Sequence, residues 1–257
     1  MRRSLAVALL VRLWLPSAVA RAEPKAPTLE PTLELPLLGA GAAVVIGSEA
    51  AKSWFVPATC RWCEQDASGQ VDVNGFDKSI RSALVGRGLT APTWSKVSDV
   101  TVFGLLPLTA VALDWSLAHD ERFDRPFGDD LGIMAESVLA SALVDQLVKF
   151  VALRQRPYAA YDAPYTADYH ASVGALDDNL SFFSGHSAAA LSVTVAASRL
   201  IELRTGRKLG YAILVPLGIL ASFMRVAADK HWATDVLTGM VVGAVAGWVV
   251  PSLHAGS

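Results

Sequence analysis

Six apolar stretches account for much of this chain and restrict what it can fold into. They cover residues 35–51, 97–113, 131–153, 188–203, 209–228 and 236–250. A helix needs about 20 mainly apolar residues to cross a bilayer, and helices satisfy their own backbone groups in hydrocarbon. The 209–228 stretch meets that length, whereas 35–51 and 236–250 are short. The 131–153 stretch carries Glu136, Asp145 and Lys149. Polar residues inside a span face the bundle interior or a cavity. Strand signals are nearly absent, so the expected fold is all-α: a multi-helix transmembrane bundle with five or six spans. The polar stretch 52–96 carries the signal of one short helix near 77–85.

The ends and the charges refine this picture. Met1, Arg2 and Arg3 precede an apolar run over 5–20, and Ala20-Arg21-Ala22 resembles a cleavage site. Residues 1–22 therefore read as a secretory signal, with an uncleaved anchor as the rival because Arg12 interrupts the run. Residues 23–36, rich in Pro and Glu, read as an extended lead-in. The expected organisation is 1–22, then 23–96 with the first apolar segment and a polar loop, then a core over 97–251. Net charge is −2 with no basic block, which argues against a nucleic-acid partner. Cys60 and Cys63 form a Cys-x-x-Cys pair. A local disulfide is the plain reading in an oxidising compartment. A redox role needs a βαβ context and zinc needs two more ligands, and neither is evident. Arg199, Arg204, Arg207 and Lys208 cluster between the fourth and fifth apolar segments, which places that connection in the cytoplasm. A cleaved signal followed by a spanning 35–51 gives the opposite orientation. The basic connection is given the greater weight.

Three short motifs carry chemistry. Lys149 and Arg156 lie seven apart, about two helical turns, and Pro157 ends helical geometry at Arg156. This predicts two cations on one face at a helix mouth, suited to phosphate oxygens; cations near a helix end also simply favour the dipole. Ser184-Gly185-His186 precedes an apolar run of small residues, a helix start whose free N–H groups attract anions. A capped helix with a surface histidine is the plain alternative. His231 and Asp235 lie four apart, so a carboxylate can accept from one ring nitrogen and leave the other nucleophilic. An ion pair or two metal ligands are the competing readings. Arg225 closes the preceding apolar segment. His119, His170 and His254 fit none of these patterns.

Taken in order, these residues resemble the superfamily of type 2 phosphatidic acid phosphatases, which also holds bacterial class A acid phosphatases and vanadium haloperoxidases. Its pattern is Lys-x6-Arg-Pro, then Pro-Ser-Gly-His, then Ser-Arg-x5-His-x3-Asp. The likeness spans about residues 131–250. Phe183 stands where proline is usual and Met224 where serine is usual. The second departure removes one hydrogen bond expected at Arg225.

The resemblance implies a metal-independent phosphatase that hydrolyses lipid-linked phosphomonoesters or diphosphates through a phosphohistidine, with no cofactor. His231 would attack phosphorus, Asp235 would orient it, and His186 would protonate the leaving group. Lys149, Arg156, Arg225, Ser184 and the Gly185 N–H would bind the phosphate oxygens. It implies a phospholipid or isoprenoid phosphate substrate at a bacterial-type inner membrane, with the site facing the periplasm. The alternatives are a soluble secreted acid phosphatase, a vanadate-dependent haloperoxidase, and a non-catalytic membrane scaffold.

Overall fold

The computed structural model describes residues 26–119 and 125–255. The reading of 1–22 as a signal or anchor lies outside the described residues. The helices are α1 (Pro31–Ala50), α2 (Gly75–Leu84), α3 (Ala91–Val100), α4 (Leu106–Ala118), α5 (Arg125–Ala152), α6 (Thr166–Val173), α7 (Gly185–Thr205), α8 (Leu209–Ala227) and α9 (Ala233–His254). A π-helical turn, Thr101–Leu105, joins α3 to α4 without a break. Among the described residues there is no strand, only the isolated bridges Trp62–Arg154 and Gln65–Val71. Among the described residues, five helices are long and apolar enough to cross a membrane: α1, the continuous Ala91–Ala118 rod, Pro126–Ala152, α8 and α9. The chain is thus an all-α, multi-pass membrane protein.

The sixth long helix, α7, is the axis. It packs against α4, α5, α8 and α9. Because other helices surround it, it can carry buried Ser187, Ser192, Thr194 and Ser198 rather than a lipid-facing apolar surface. Thr194 Oγ1 donates to the Ala190 carbonyl at 2.7 Å and Ser198 Oγ to the Thr194 carbonyl at 2.6 Å, so these two hydroxyls are satisfied one turn back, whereas Ser192 Oγ is buried without a partner. Against the side of α7 that carries Ser184, Ala188, Ser192 and Ala196, α9 presents Gly239, Gly243 and Gly247, and their missing side chains let the two backbones touch. This contact fixes the start of α9 beside the start of α7.

The C-terminal ends of α1, α5 and α8 and the N-terminal ends of α3, α7 and α9 gather at one end of the bundle. At the other end Arg204 forks onto Asp130, at 2.5 and 2.6 Å, and donates to the Pro27 carbonyl at 3.2 Å. The first end is covered by the segments 51–90 and 153–184. Cys60 and Cys63 are disulfide-bonded there. Arg61 N and Trp62 N both donate to the Leu153 carbonyl, and Gln155 N donates to the Trp62 carbonyl.

That pairing corrects one expected boundary. Helix α5 stops at Ala152, with Leu153 at φ 44°, and does not run on to Arg156. Lys149 therefore stands on a helix while Arg156 sits beyond it, as N-cap of the turn Pro157–Ala160. Residues 153–155 leave the helix because they pair with 61–64, and Arg156 N donates to the Asp178 carbonyl at 2.7 Å. The lead-in is also shorter than expected. Pro31 opens α1, since proline's fixed φ suits a first helical position. The short helix near 77–85 is α2, and the Asn74 side chain caps it.

A methyl group at Gly243 would meet the Ala188 carbonyl oxygen, well inside van der Waals contact. Gly243→Ala should therefore cost about 1–3 kcal/mol and lower the thermal midpoint in detergent. Gly39→Ala, whose added carbon meets nothing within 4 Å, serves as the control. Equal midpoints for the two variants would contradict the close α7–α9 contact.

Candidate active site

The loops and helix ends at the covered end enclose a cavity of about 940 Å³. Lys149, Arg156, Gly185, His186, Arg225 and His231 all line it, so one wall draws on all three motifs. Val45, Ile46, Phe103, Val138, Ala142 and Ala189 form the other wall. These six residues also line an adjoining apolar groove of about 440 Å³, which α1, α4, α5 and α7 enclose.

His231 lies in the turn between α8 and α9 and is 1% exposed. Its Nδ1 stands 2.7 Å from the Ser181 carbonyl oxygen. A carbonyl can only accept, so Nδ1 carries the proton and Nε2 carries the lone pair. Arg156 Nη1 donates toward Nε2 at 3.1 Å. Asp235, expected to hold this histidine directly, stands 3.7 Å from Nδ1. Its oxygens are engaged elsewhere. Oδ2 accepts from Ser181 Oγ at 2.6 Å and from Trp232 N at 2.9 Å, and Oδ1 accepts from Arg154 at 2.5 Å. Asp235 therefore fixes Ser181 and the first turn of α9, and the Ser181 carbonyl fixes the histidine.

Ser184 is the N-cap of α7. Its Oγ accepts from Ser187 N, it is fully buried, and it does not line the cavity. Gly185 does line it. A Cβ there would lie 2.5 Å from Asp145 Oδ2, so glycine is what lets α7 start against the Asp145–Lys149 pair. His186 Nε2 lies 2.7 Å from Asp99 Oδ1, and its ring meets Phe103 edge-on at 4.7 Å. Asp99 also accepts from Arg225 Nη1 at 3.1 Å. The same Nη1 donates to Ser98 Oγ at 2.7 Å. Helix α3 thus supplies the hydroxyl that the motif's missing serine would have given Arg225. Arg225 Nε is buried without a hydrogen-bond partner, a donor still available to an anion.

Each motif cation has its own carboxylate. Lys149 pairs with Asp145 at 2.8 Å, Arg156 with Asp177 at 3.0 Å, and Arg225 with Asp99 at 3.1 Å. Arg156 is further held by the carbonyls of Asp177 and Lys230, both at 2.8 Å. Sequence reading missed Asp99, Ser98, Arg154, Ser181 and Lys230. Of these, only Lys230, adjacent to His231, carried a signal: a cation inside the third motif. His170 pairs with Asp178 at 2.8 Å and does not line the cavity. Two acid–histidine groups, Asp114–His119–Asp130 and Glu34–Glu136–His254, lie away from this cavity, and none of their residues lines it.

Burial, and then the charges of Arg156, Arg225 and Lys149, hold the His231 imidazole well below its ordinary value. The folded protein keeps this ring neutral, hence nucleophilic. The unfolded chain takes up a proton at His231 below about pH 6.5. It then binds more protons than the folded state, so stability is lost as pH falls through that value. His231→Gln removes this contribution. The fall in thermal midpoint from pH 8 to pH 5 should be smaller in His231→Gln than in wild type. Equal falls would show that the imidazole is not held neutral.

The profile of the PAP2 superfamily matches residues 130–256. Undecaprenyl-diphosphatase BcrC of Bacillus subtilis (strain 168) is 28% identical over 111 residues, covering 43% of this chain and 51% of that protein. The chain therefore matches about half the length of this curated relative. No solved structure matches. Asp99 and Ser98 fall outside the matched region.

Proposed function

We propose that this chain, whose residues 130–256 belong to the PAP2 superfamily, is a membrane-embedded phosphatase that cleaves lipid-linked phosphoric esters through a phosphohistidine at His231. One observation carries the reading: a neutral, fixed imidazole offers Nε2 to a cavity with cations on one wall and an apolar groove off the other. The groove suits an acyl or prenyl chain, and the cations suit its phosphate.

In the first step Nε2 attacks phosphorus and the bond from phosphorus to the leaving oxygen breaks. His186 gives that oxygen a proton. Arg156, Arg225 and Lys149 balance the charge on the three remaining oxygens, which is most of what phosphoryl transfer asks of a protein. In the second step water attacks the phosphohistidine, His186 takes the water's proton, and inorganic phosphate leaves. No metal or cofactor enters either step. The name of the Bacillus relative supports a lipid-linked diphosphate among the substrates.

Two features support an active site facing the periplasm of a bacterial-type inner membrane. The Cys60–Cys63 disulfide lies at the site end, and disulfides persist in oxidising compartments. Arg204, one of the basic cluster, anchors the opposite end, as positive-inside orientation requires. The five apolar helices favour this enzyme over a soluble secreted phosphatase.

The test is phosphate release by the detergent-purified protein from phosphatidic acid, phosphatidylglycerol phosphate and prenyl phosphates. Activity should survive EDTA, and vanadate should inhibit. His231→Ala should lose about a thousandfold or more in kcat. Wild-type rates in His231→Ala would end the reading. Loss in EDTA with recovery on adding zinc would replace it with a metal mechanism.

A further inference from the structure

The three motif cations are matched one to one by Asp145, Asp177 and Asp99. A fourth cation lines the same cavity and breaks the pattern. Lys230 is 4% exposed, yet among the described residues no carboxylate lies within 4.0 Å of its Nζ and no hydrogen-bond acceptor faces it. Its ammonium lies over the Tyr169 ring, 4.1 Å from the centroid, and 5.7 Å from that of Tyr158. An aromatic face attracts a cation but accepts no strong hydrogen bond from it, so all three N–H donors remain available.

The backbone that carries Lys230 is held from several sides. Arg81 forks onto Asp229 at 2.6 Å through both nitrogens, and Tyr165 donates to the same carboxylate at 2.7 Å. Tyr169 donates to the Ala228 carbonyl at 2.6 Å, and Arg156 to the Lys230 carbonyl at 2.8 Å. This is a cation on a held backbone, next to His231 in the chain and lining the same cavity. Asp177 and Asp99, already paired with Arg156 and Arg225, act on Lys230 only from beyond contact distance. Desolvating a charge with no carboxylate in contact is costly, and such a residue fits where a ligand brings one.

We propose that Lys230 is a fourth phosphate-binding cation, supplied by none of the three motif pairs, that holds the second phosphate of a diphosphate ester and gives this site a preference for diphosphates over monophosphates bearing the same apolar chain. The proposal rests on the phosphatase reading above. A terminal phosphoryl group has three non-bridging oxygens, and Lys149, Arg156 and Arg225 already match them. A diphosphate adds a second charged phosphorus and so calls for one more cation. When His231 attacks the terminal phosphorus, the bond to the bridging oxygen breaks and the lipid monophosphate departs. Lys230 neutralises the charge that the leaving group gains. Burial, and then Arg156, push the Lys230 ammonium down to about 7. A bound anion raises it again, so the cation is strongest when the second phosphate is present.

The test uses the full chain in detergent with farnesyl diphosphate and farnesyl monophosphate, which share one apolar chain. Lys230→Met removes the charge and keeps the length, while Lys230→Arg keeps a cation. The ratio of kcat/KM for diphosphate over monophosphate should fall about tenfold or more in Lys230→Met and recover largely in Lys230→Arg. An unchanged ratio in a Lys230→Met protein of wild-type thermal midpoint overturns the proposal, as does a wild type that prefers the monophosphate. If Lys230→Met does not fold, the wild type decides. Methylenebisphosphonate should inhibit its monophosphate turnover about tenfold more tightly than methylphosphonate, and equal inhibition overturns the proposal. A wild type that releases phosphate from neither substrate overturns the phosphatase reading itself.

Discussion

The arrangement of this site depends on one buried guanidinium. Arg154 is fully buried, and its nitrogens reach Glu64 at 2.6 Å, Asp77 at 2.9 Å, Asp235 at 2.5 Å and the Thr234 hydroxyl at 2.7 Å. The Trp62 ring covers it at 4.2 Å. These partners come from the segment ahead of α2, from α2 itself and from the first turn of α9. One side chain thus ties the covering loops to the helix that follows His231. Asp77 strengthens the tie by accepting from Thr234 N at 2.8 Å. Three carboxylates around one cation would repel each other in so dry a place. Burial pushes the Glu64 carboxyl up, toward its neutral form, which eases that repulsion. Removing Arg154 would leave the acids without a counter-ion, so the cluster serves to fix geometry more than to add stability.

From this anchor the order of control runs inward. Arg154 holds Asp235, Asp235 holds Ser181, and the Ser181 carbonyl holds the nucleophilic ring. On the other side, Asp99 from α3 holds both His186 and Arg225. The histidines are thus fixed by different elements, one by loops at the start of α9 and the other by a helix far earlier in the chain. Carboxylates balance the motif cations while the site is empty, so the buried charge is tolerable before substrate arrives. A phosphate then competes with carboxylates for donors that are already in place, which is the preorganisation such chemistry needs.

Much of this was legible in the chain itself. The three motifs brought Lys149, Arg156, Gly185, His186, Arg225 and His231 to one cavity, because each spacing is local and each sits at a helix end. The all-α class followed from the apolar segments for the same reason. What could not be read was long-range. Nothing near Asp99 in sequence shows that it meets His186, 87 residues later. The stretch 52–96 read as a polar loop, yet it supplies Glu64 and Asp77 to the Arg154 cluster. Ser184 and Asp235 sit at helix starts, where capping competes for their side chains, so both stand behind the cavity wall. Helix α7 is rich in buried hydroxyls because it faces only other helices. Its central place therefore depends on neighbours rather than on its own hydropathy. The end of α5 at Ala152 depends on pairing between residues 61–64 and 153–155, which no local pattern encodes.

The central claim is that a phosphoryl group passes through His231, and trapping it is the most direct test. The substrate would carry ³²P in its terminal phosphate, and the reaction would be quenched within the first turnover. His186→Ala is the useful background, because slower hydrolysis lets the intermediate accumulate. The account predicts protein-bound label that is labile to acid and stable to alkali, on the peptide containing His231, and absent when His231→Ala is added. Label on another residue, or single-turnover phosphate release with no labelled protein at any time, would contradict it.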